Sequence, residues 1–290
     1  MIIITGATGQ LGGRIVEKLL DHVPATRLGV SVRDPELATN LKARGIRVRQ
    51  GDFDDPDSLR NAFEGCSQLL LVSSNAAAYG GDPLAQHRTV IDIAREIGVG
   101  RIVYTSHMAA SASSAFPPML DHAATESMLD QSGLAWTALR NGFYASSGIM
   151  LMGDSLETGV IDAPKDGKVA WTAHADLAEA AAVILAENGR FDGPTPALTG
   201  SEALDLGDLA QIASELSGRT IRREISSDDD YRAKMTGRGV PPRSLDFALG
   251  LYLASRRGEF ASVDPTLEQL LGRHPTRMHD LMAETIASAR

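Results

Sequence analysis

The chain of 290 residues contains one cysteine, Cys66. No disulfide can close within it, and no cysteine-built metal centre can form from one thiol. No basic block occurs: Arg222-Arg223 and Arg256-Arg257 are isolated pairs in a chain of net charge −9. A nucleic-acid binder needs a concentrated cationic face, so that class of partner is excluded. The N-terminal apolar run is only Ile2 to Ile4, with no basic residue before it and Gly6 soon after. The expectation is therefore neither a signal peptide nor a membrane span, and a soluble cytoplasmic protein. Internal repeats and low-complexity tracts are also missing. What remains, 43% hydrophobic and 22% charged, is ordinary globular composition.

The informative stretch lies at the start. Ile2-Ile3-Ile4-Thr5 is a β-branched run that suits a strand buried on both faces. Gly6-Ala7-Thr8-Gly9-Gln10-Leu11-Gly12 follows, and Arg14 to His22 reads as a helix with Ile15, Val16, Leu19 and Leu20 on one face. Strand, glycine turn and helix form the context of a dinucleotide-binding loop. Gly6 would turn the chain off the strand, Gly9 would admit a pyrophosphate, and Gly12 would let helix and strand approach. The helix N-terminus would then face the anion. The bland alternative is a glycine-rich turn with no ligand.

The rhythm continues for a further hundred residues. Strands are expected at 27–32, 46–50, 69–72 and 101–106, with helices at 36–44, 56–63 and 83–97 between them. Alternation of this kind predicts a doubly wound parallel sheet, the Rossmann arrangement. Ligands in such sheets bind beyond the carboxyl ends of the strands. Arg33 ends the second strand and Asp34 follows. An Arg there would meet the 2′-phosphate of NADP and an acid would hold the ribose of NAD, so NADP(H) is preferred over NAD; a plain charged turn is the alternative. Asp52 could receive an adenine amino group, or cap a helix, a task for which Asp55 is better placed. Ser73-Ser74-Asn75 ends the fourth strand and suits cofactor contacts or a loop. Gln86, His87 and Arg88 are read as the polar face of their helix.

Residues 107–120 break the rhythm and are read as a substrate-side lid carrying Met108, Phe116 and Met119. A helix at 121–132, a sixth strand at 135–140, a helix at 175–187 and a last strand at 197–199 follow. Residues 150–158 read as a helix, 159–171 as strand-like pieces, 206–216 as a helix stopped by Gly218, and 220–290 as mostly helical. The expected organisation is a cofactor-binding core over 1–145, completed by about 170–200. A smaller, mostly helical, substrate-covering lobe takes about 146–170 and 201–290.

The Tyr-x-x-x-Lys pair that carries acid–base chemistry in ordinary short-chain dehydrogenases is missing. Four residues beyond Tyr79, Tyr104, Tyr144, Tyr231 and Tyr252 stand Pro83, Met108, Gly148, Met235 and Arg256. This argues against alcohol oxidation and sugar-nucleotide epimerisation. In the corresponding helix His122 and Glu126 lie at i and i+4, on one face. His122 could donate a proton with Glu126 orienting it, or the two could form a structural pair. Phe143, Tyr144, Trp171, Met108 and Phe116 could line an apolar substrate slot, or belong to the core.

Taken together, Ile3 to Gly12, Val32-Arg33-Asp34-Pro35, Tyr104-Thr105-Ser106, His122-x-x-Thr125-Glu126 and Leu139-Arg140-Asn141-Gly142-Phe143-Tyr144 resemble the NmrA-like, atypical short-chain dehydrogenase/reductase group. Within it the chain is most similar to the NADPH:quinone oxidoreductase type 2 and triphenylmethane reductase branches. The resemblance implies NADPH held by Gly6, Ala7, Thr8, Gly9, Gln10, Leu11, Gly12, Arg33, Ser73, Ser74, Asn75, Leu139, Arg140, Asn141 and Gly142. Asp52, Phe53, Thr105 and Ser106 complete the expected cofactor set. The expected catalytic residues are His122, Glu126 and Tyr144; Met108, Phe143 and Trp171 are the expected substrate contacts. No metal is expected. Hydride transfer without flavin to a quinone-like or aromatic acceptor is implied, and a homodimer is allowed. The rival reading is a non-catalytic NADP(H)-sensing regulator that binds a protein partner.

Overall fold

A computed structural model describes residues 1–288; Ala289 and Arg290, the end of the expected C-terminal helical region, lie outside the described residues. The elements run β1 (Ile2–Thr5), α1 (Gln10–Leu19), β2 (Leu28–Val32), α2 (Thr39–Ala43), β3 (Arg47–Gln50), α3 (Pro56–Ala62), β4 (Gln68–Leu71), α4 (Pro83–Glu96), β5 (Arg101–His107), α5 (Pro117–Asp130) and β6 (Ala135–Asn141). Then come β7 (Phe143–Tyr144), α6 (Ala145–Leu151), α7 (Ser155–Thr158), β8 (Val160–Pro164), β9 (Trp171–Thr172), α8 (His174–Ala186), β10 (Gly193–Pro194) and α9 (Leu206–Ser217). The chain closes with β11 (Arg222–Ser226), α10 (Asp228–Gly237), α11 (Pro242–Arg256), α12 (Thr266–Leu271) and α13 (Met278–Ser288). They divide into two compact units, one of 1–110, 121–141 and 174–196, the other of 111–120, 142–173 and 197–290.

The first unit is a Rossmann-like sheet of seven strands in the order β10-β6-β5-β4-β1-β2-β3. Every neighbouring pair is parallel. The order reverses between β1 and β4, so the carboxyl ends of those strands flank the crevice where doubly wound sheets take ligands. Alternate side chains sort to opposite faces. Ile3, Leu69, Leu71, Ile102 and Tyr104 join Leu59 and Phe63, Val90 and Ala94, and Leu129 in one core layer. The other parity, Ile2, Ile4, Leu70 and Val103, is equally buried. Helix α1 presents Ile15, Val16 and Leu19 inward and packs along α8, with Lys18 and Glu179 paired at 3.7 Å.

Several boundaries differ from the sequence reading. Helix α1 begins at Gln10, inside the glycine motif, with Gly9 as its extended N-cap. Residues 36–44 form a short 3-10 turn and the five-residue α2. The last strand of this sheet is not 197–199 but Gly193–Pro194, pairing with Thr137 and Ala138.

The second unit holds two short parallel ribbons. Strands β8 and β11 align Val160 with Arg222 through Pro164 with Ser226, and β7 and β9 align Phe143 with Trp171. Its core is aromatic: Phe143 lies 5.5 Å from Trp171 and 5.1 Å from Phe260, and Phe116 lies 6.0 Å from Phe260. Strand β11 has no counterpart in the sequence reading, since Arg222-Arg223-Glu224 lacks apolar alternation. Arg223 lies along β8 and donates to the Ala163 carbonyl at 2.8 Å. The expected lid is much shorter than 107–120. Helix α5 starts at Pro117, and Phe116 and Met119 are buried, so these two residues are core rather than lid.

Candidate active site

Loop β1–α1 has the backbone a bound anion requires. Gly6 adopts φ +63°, a left-handed turn that a side chain would resist. A Cβ on Gly12 would fall well inside van der Waals distance of the Gly6 carbonyl oxygen, so only glycine lets the helix sit this close. Helices α3, α4 and α9 carry Asp55, Asp82 and Asp205 as caps on their first N–H groups. Helix α1 has Gly9 as its N-cap, no side-chain cap bond and no acid in its first turn. Its leading N–H groups and its positive dipole end are left for an external anion. A groove of about 590 Å³ borders this turn, lined by Thr8, Gly9, Gln10 and Arg14 on one side and Leu37 and Asn40 on the other. Leu11, like Leu139, is buried, so only its backbone can face a ligand.

At the end of β2 the two charges divide. Asp34 turns back to accept the Glu36 N–H at 3.0 Å, while Arg33 is exposed. Asp52 accepts the Asp54 N–H at 3.1 Å, Asp55 caps α3, and Phe53 packs against the core. Beyond β4, the Ser73 N–H donates to Thr105 Oγ1 at 2.8 Å and the Ser74 N–H to His87 Nε2 at 2.8 Å; Asn75 is exposed. His87 is fully buried, not on a polar face. The signal was present: 87, 90, 91 and 94 lie at i, i+3, i+4 and i+7, the apolar stripe of α4.

Glu126 does not orient His122. Its carboxylate accepts the Ser106 hydroxyl at 2.6 Å and a forked pair from Arg140 at 3.1 and 2.7 Å. Three expected functional side chains are thus engaged with one another, tying α5 to the ends of β5 and β6. His122 instead pairs through Nδ1 with the Tyr104 hydroxyl at 2.8 Å, a partner the sequence reading missed. The parity of β5 points Tyr104 at α5. His107 stacks on His122 with ring centroids 6.1 Å apart. Burial pushes the His122 imidazole down to about 4 and holds it neutral near pH 7.

At the end of β6, Asn141 is buried and its Oδ1 has no hydrogen-bond partner in the protein, while its carbonyl accepts the Met108 N–H at 2.8 Å. A buried acceptor left open in this way suits a ligand's N–H. In the second unit, the Gly142 N–H donates to the Leu198 carbonyl at 2.7 Å. Phe143 and Trp171 sit in the aromatic core, with the indole N–H on the Leu204 carbonyl at 3.0 Å. They are therefore packing residues rather than an open slot. Burial pushes the Tyr144 phenol up to about 12.

The family model described as NAD(P)H-binding matches residues 6–188. Quinone oxidoreductase 2 of Escherichia coli is 39% identical over 279 residues, 95% of each chain. The chain belongs to the NAD(P)H-binding, NmrA-like family. Among solved structures of this family, the NADPH complex of the Escherichia coli NADPH-dependent quinone oxidoreductase superposes with a TM-score of 0.90 at 35% identity, covering 100% of this chain and 99% of that one. Triphenylmethane reductase of a Citrobacter species, complexed with NADP(H), gives 0.87 at 32% identity, covering 98% and 99%. Family members thus take NADP(H) on the same fold, and the uncapped α1 terminus, the exposed Arg33 and the buried, unpartnered Asn141 oxygen fit that cofactor here. Among the described residues no group of three or more His, Cys, Asp or Glu could hold a metal ion, and no helix is long and apolar enough to cross a membrane.

Proposed function

We propose that the chain is a flavin-independent, NADPH-dependent reductase of quinones and similar conjugated, electron-poor acceptors. The observation that carries this reading is the uncapped glycine turn at the reversal point of the sheet, with Arg33 free of the turn that binds Asp34. The 39% identity to a quinone oxidoreductase indicates the acceptor class.

In this reading the N–H groups of the Gly6–Gly12 turn hold the pyrophosphate and Arg33 the 2′-phosphate. The Ser73–Asn75 turn and Asn141 hold the nicotinamide end, with Asn141 Oδ1 accepting the carboxamide N–H. When bound, NADPH would supply a hydride; the quinone would gain that hydride and one proton from solvent, giving a hydroquinone and leaving NADP⁺. The charge left on the acceptor after hydride arrival is delocalised, so no strong acid is required. That suits a site with no Tyr-x-x-x-Lys pair and with His122 held neutral. His122 and Tyr104 act as a neutral hydrogen-bonding pair beside the acceptor rather than as an imidazolium, and Tyr144 keeps its proton. Orientation of donor and acceptor supplies most of the acceleration. A reducing, NADPH-containing cytoplasm suits this chemistry and the single buried thiol.

The test is NADPH oxidation, followed at the nicotinamide absorption band with benzoquinones and naphthoquinones as acceptors. Saturation in both substrates supports the reductase. NADPH that binds yet is never oxidised by any acceptor would make the chain a cofactor sensor instead.

A further inference from the structure

His87 occupies a position that neither the glycine motif nor the acid–base inventory assigns. Its ring is buried among the turn after β4, Tyr104 of β5 and Thr125 of α5, with both nitrogens in hydrogen bonds of 2.8 Å. The direction of every bond can be worked out. The Ser74 partner is a backbone N–H, which can only donate, so Nε2 accepts and carries no proton. The ring proton of the neutral imidazole is then on Nδ1, and it is donated to Thr125 Oγ1. The Thr125 hydroxyl sends its own proton to the Asp121 carbonyl at 2.8 Å, which leaves its lone pairs for His87. The tautomer is therefore fixed from both sides. Burial, aided by the nearby His122, keeps the ring uncharged by pushing it down to about 3, so the Nε2 lone pair persists across the neutral range.

The Ser73–Asn75 turn is held at three points. Thr105 takes the Ser73 N–H, His87 takes the Ser74 N–H, and Gln86 takes the Ser74 hydroxyl while donating to Asp54 at 2.8 Å. Of these anchors His87 is the buried one on α4, and through Thr125 it links the turn to α5. We infer that His87 is a positioning residue for cofactor binding: by accepting the Ser74 N–H it sets the Ser73–Asn75 turn in the shape that receives the nicotinamide end of NADPH. This rests on the assignment of that turn to the cofactor under the proposed function.

The experiment measures NADPH dissociation constants by nicotinamide fluorescence on folded protein, together with steady-state constants for both substrates. Replacing His87→Leu removes the acceptor; NADPH affinity should fall about tenfold, and KM for NADPH should rise more than kcat falls or KM for quinone rises. His87→Gln places an amide oxygen close to the Nε2 position and should recover most of the affinity. Should the Leu variant fail to fold, Thr125→Val does the same work from the other side. It strands the Nδ1–H, favours the opposite tautomer and sets two donors against each other at Ser74, so it should also weaken NADPH binding. Nitrogen-15 spectra of the wild-type ring should show a protonated Nδ1 and a bare Nε2. Folded variants that bind NADPH within about twofold of wild type, or an Nε2–H tautomer, would overturn the inference while leaving the cofactor reading intact. Wild-type protein that binds no NADPH would overturn both.

Discussion

His122 is surrounded closely enough that its imidazole titrates far below its ordinary value, and this changes what pH can do. With the folded value near 4 against 6.5 for an ordinary histidine, the unfolded chain takes up the proton first as pH falls. This residue therefore contributes stability that is full above about 6.5 and is lost progressively toward 4. In catalysis the same shift removes any imidazolium near neutrality. The profile of kcat should carry no limb near 6.5 from His122, and His122→Ala should lower kcat by about tenfold without moving the profile between pH 6 and 8. A limb near 6.5 that vanishes in the alanine variant would show His122 to be a cationic acid after all. Arg33 makes a second expectation at this scale. Its guanidinium is exposed while Asp34 is occupied as a cap, so Arg33→Ser should raise KM for NADPH by about tenfold or more while leaving KM for NADH nearly unchanged. Equal effects on both cofactors would remove Arg33 from the 2′-phosphate site.

At the scale of elements, Glu126 joins α5 to β5 and β6 by accepting from Ser106 and Arg140. Glu126→Gln would leave a partly buried guanidinium without its charge partner. Arg140 is 33% exposed on its side chain, so water screens part of the loss, and about 1–3 kcal/mol of stability should disappear in urea denaturation. A variant as stable as wild type but inactive would return Glu126 to the chemistry. The parallel core was legible in the sequence because runs such as Ile2–Thr5 and Leu69–Val72 are apolar on both faces, and buried parallel strands leave that mark. Strand β11 was not, since Arg222 and Glu224 stay at the surface and its pairing is carried by backbone and by Arg223. The β10 strand, Gly193–Pro194, is too short for any periodicity. The glycine turn was readable because backbone needs dictate residue type there. Tyr104 with His122, and His87 with Ser74, are contacts across loops, 18 and 13 residues apart in the chain. No local pattern announces such pairs, though the stripe of α4 already pointed His87 inward.

At the scale of the whole chain, the strand order fixes where a dinucleotide can lie, and in the proposed reading the carboxyl ends of β1, β2 and β6 would offer it, in that order, N–H groups, a cation and an unpartnered acceptor. The sequence holds no Tyr-x-x-x-Lys pair for acid–base work. The central claim is that hydride passes from NADPH to the acceptor with no carrier between them. Its most direct test is a single turnover of protein shown to be free of flavin, mixed with a naphthoquinone and NADPH deuterated at the transferring position of the nicotinamide ring. The account predicts a one-step loss of the nicotinamide band, matched by hydroquinone formation and slowed by the deuterium. Turnover that appears only when flavin is added, or no turnover while NADPH remains bound, would contradict it.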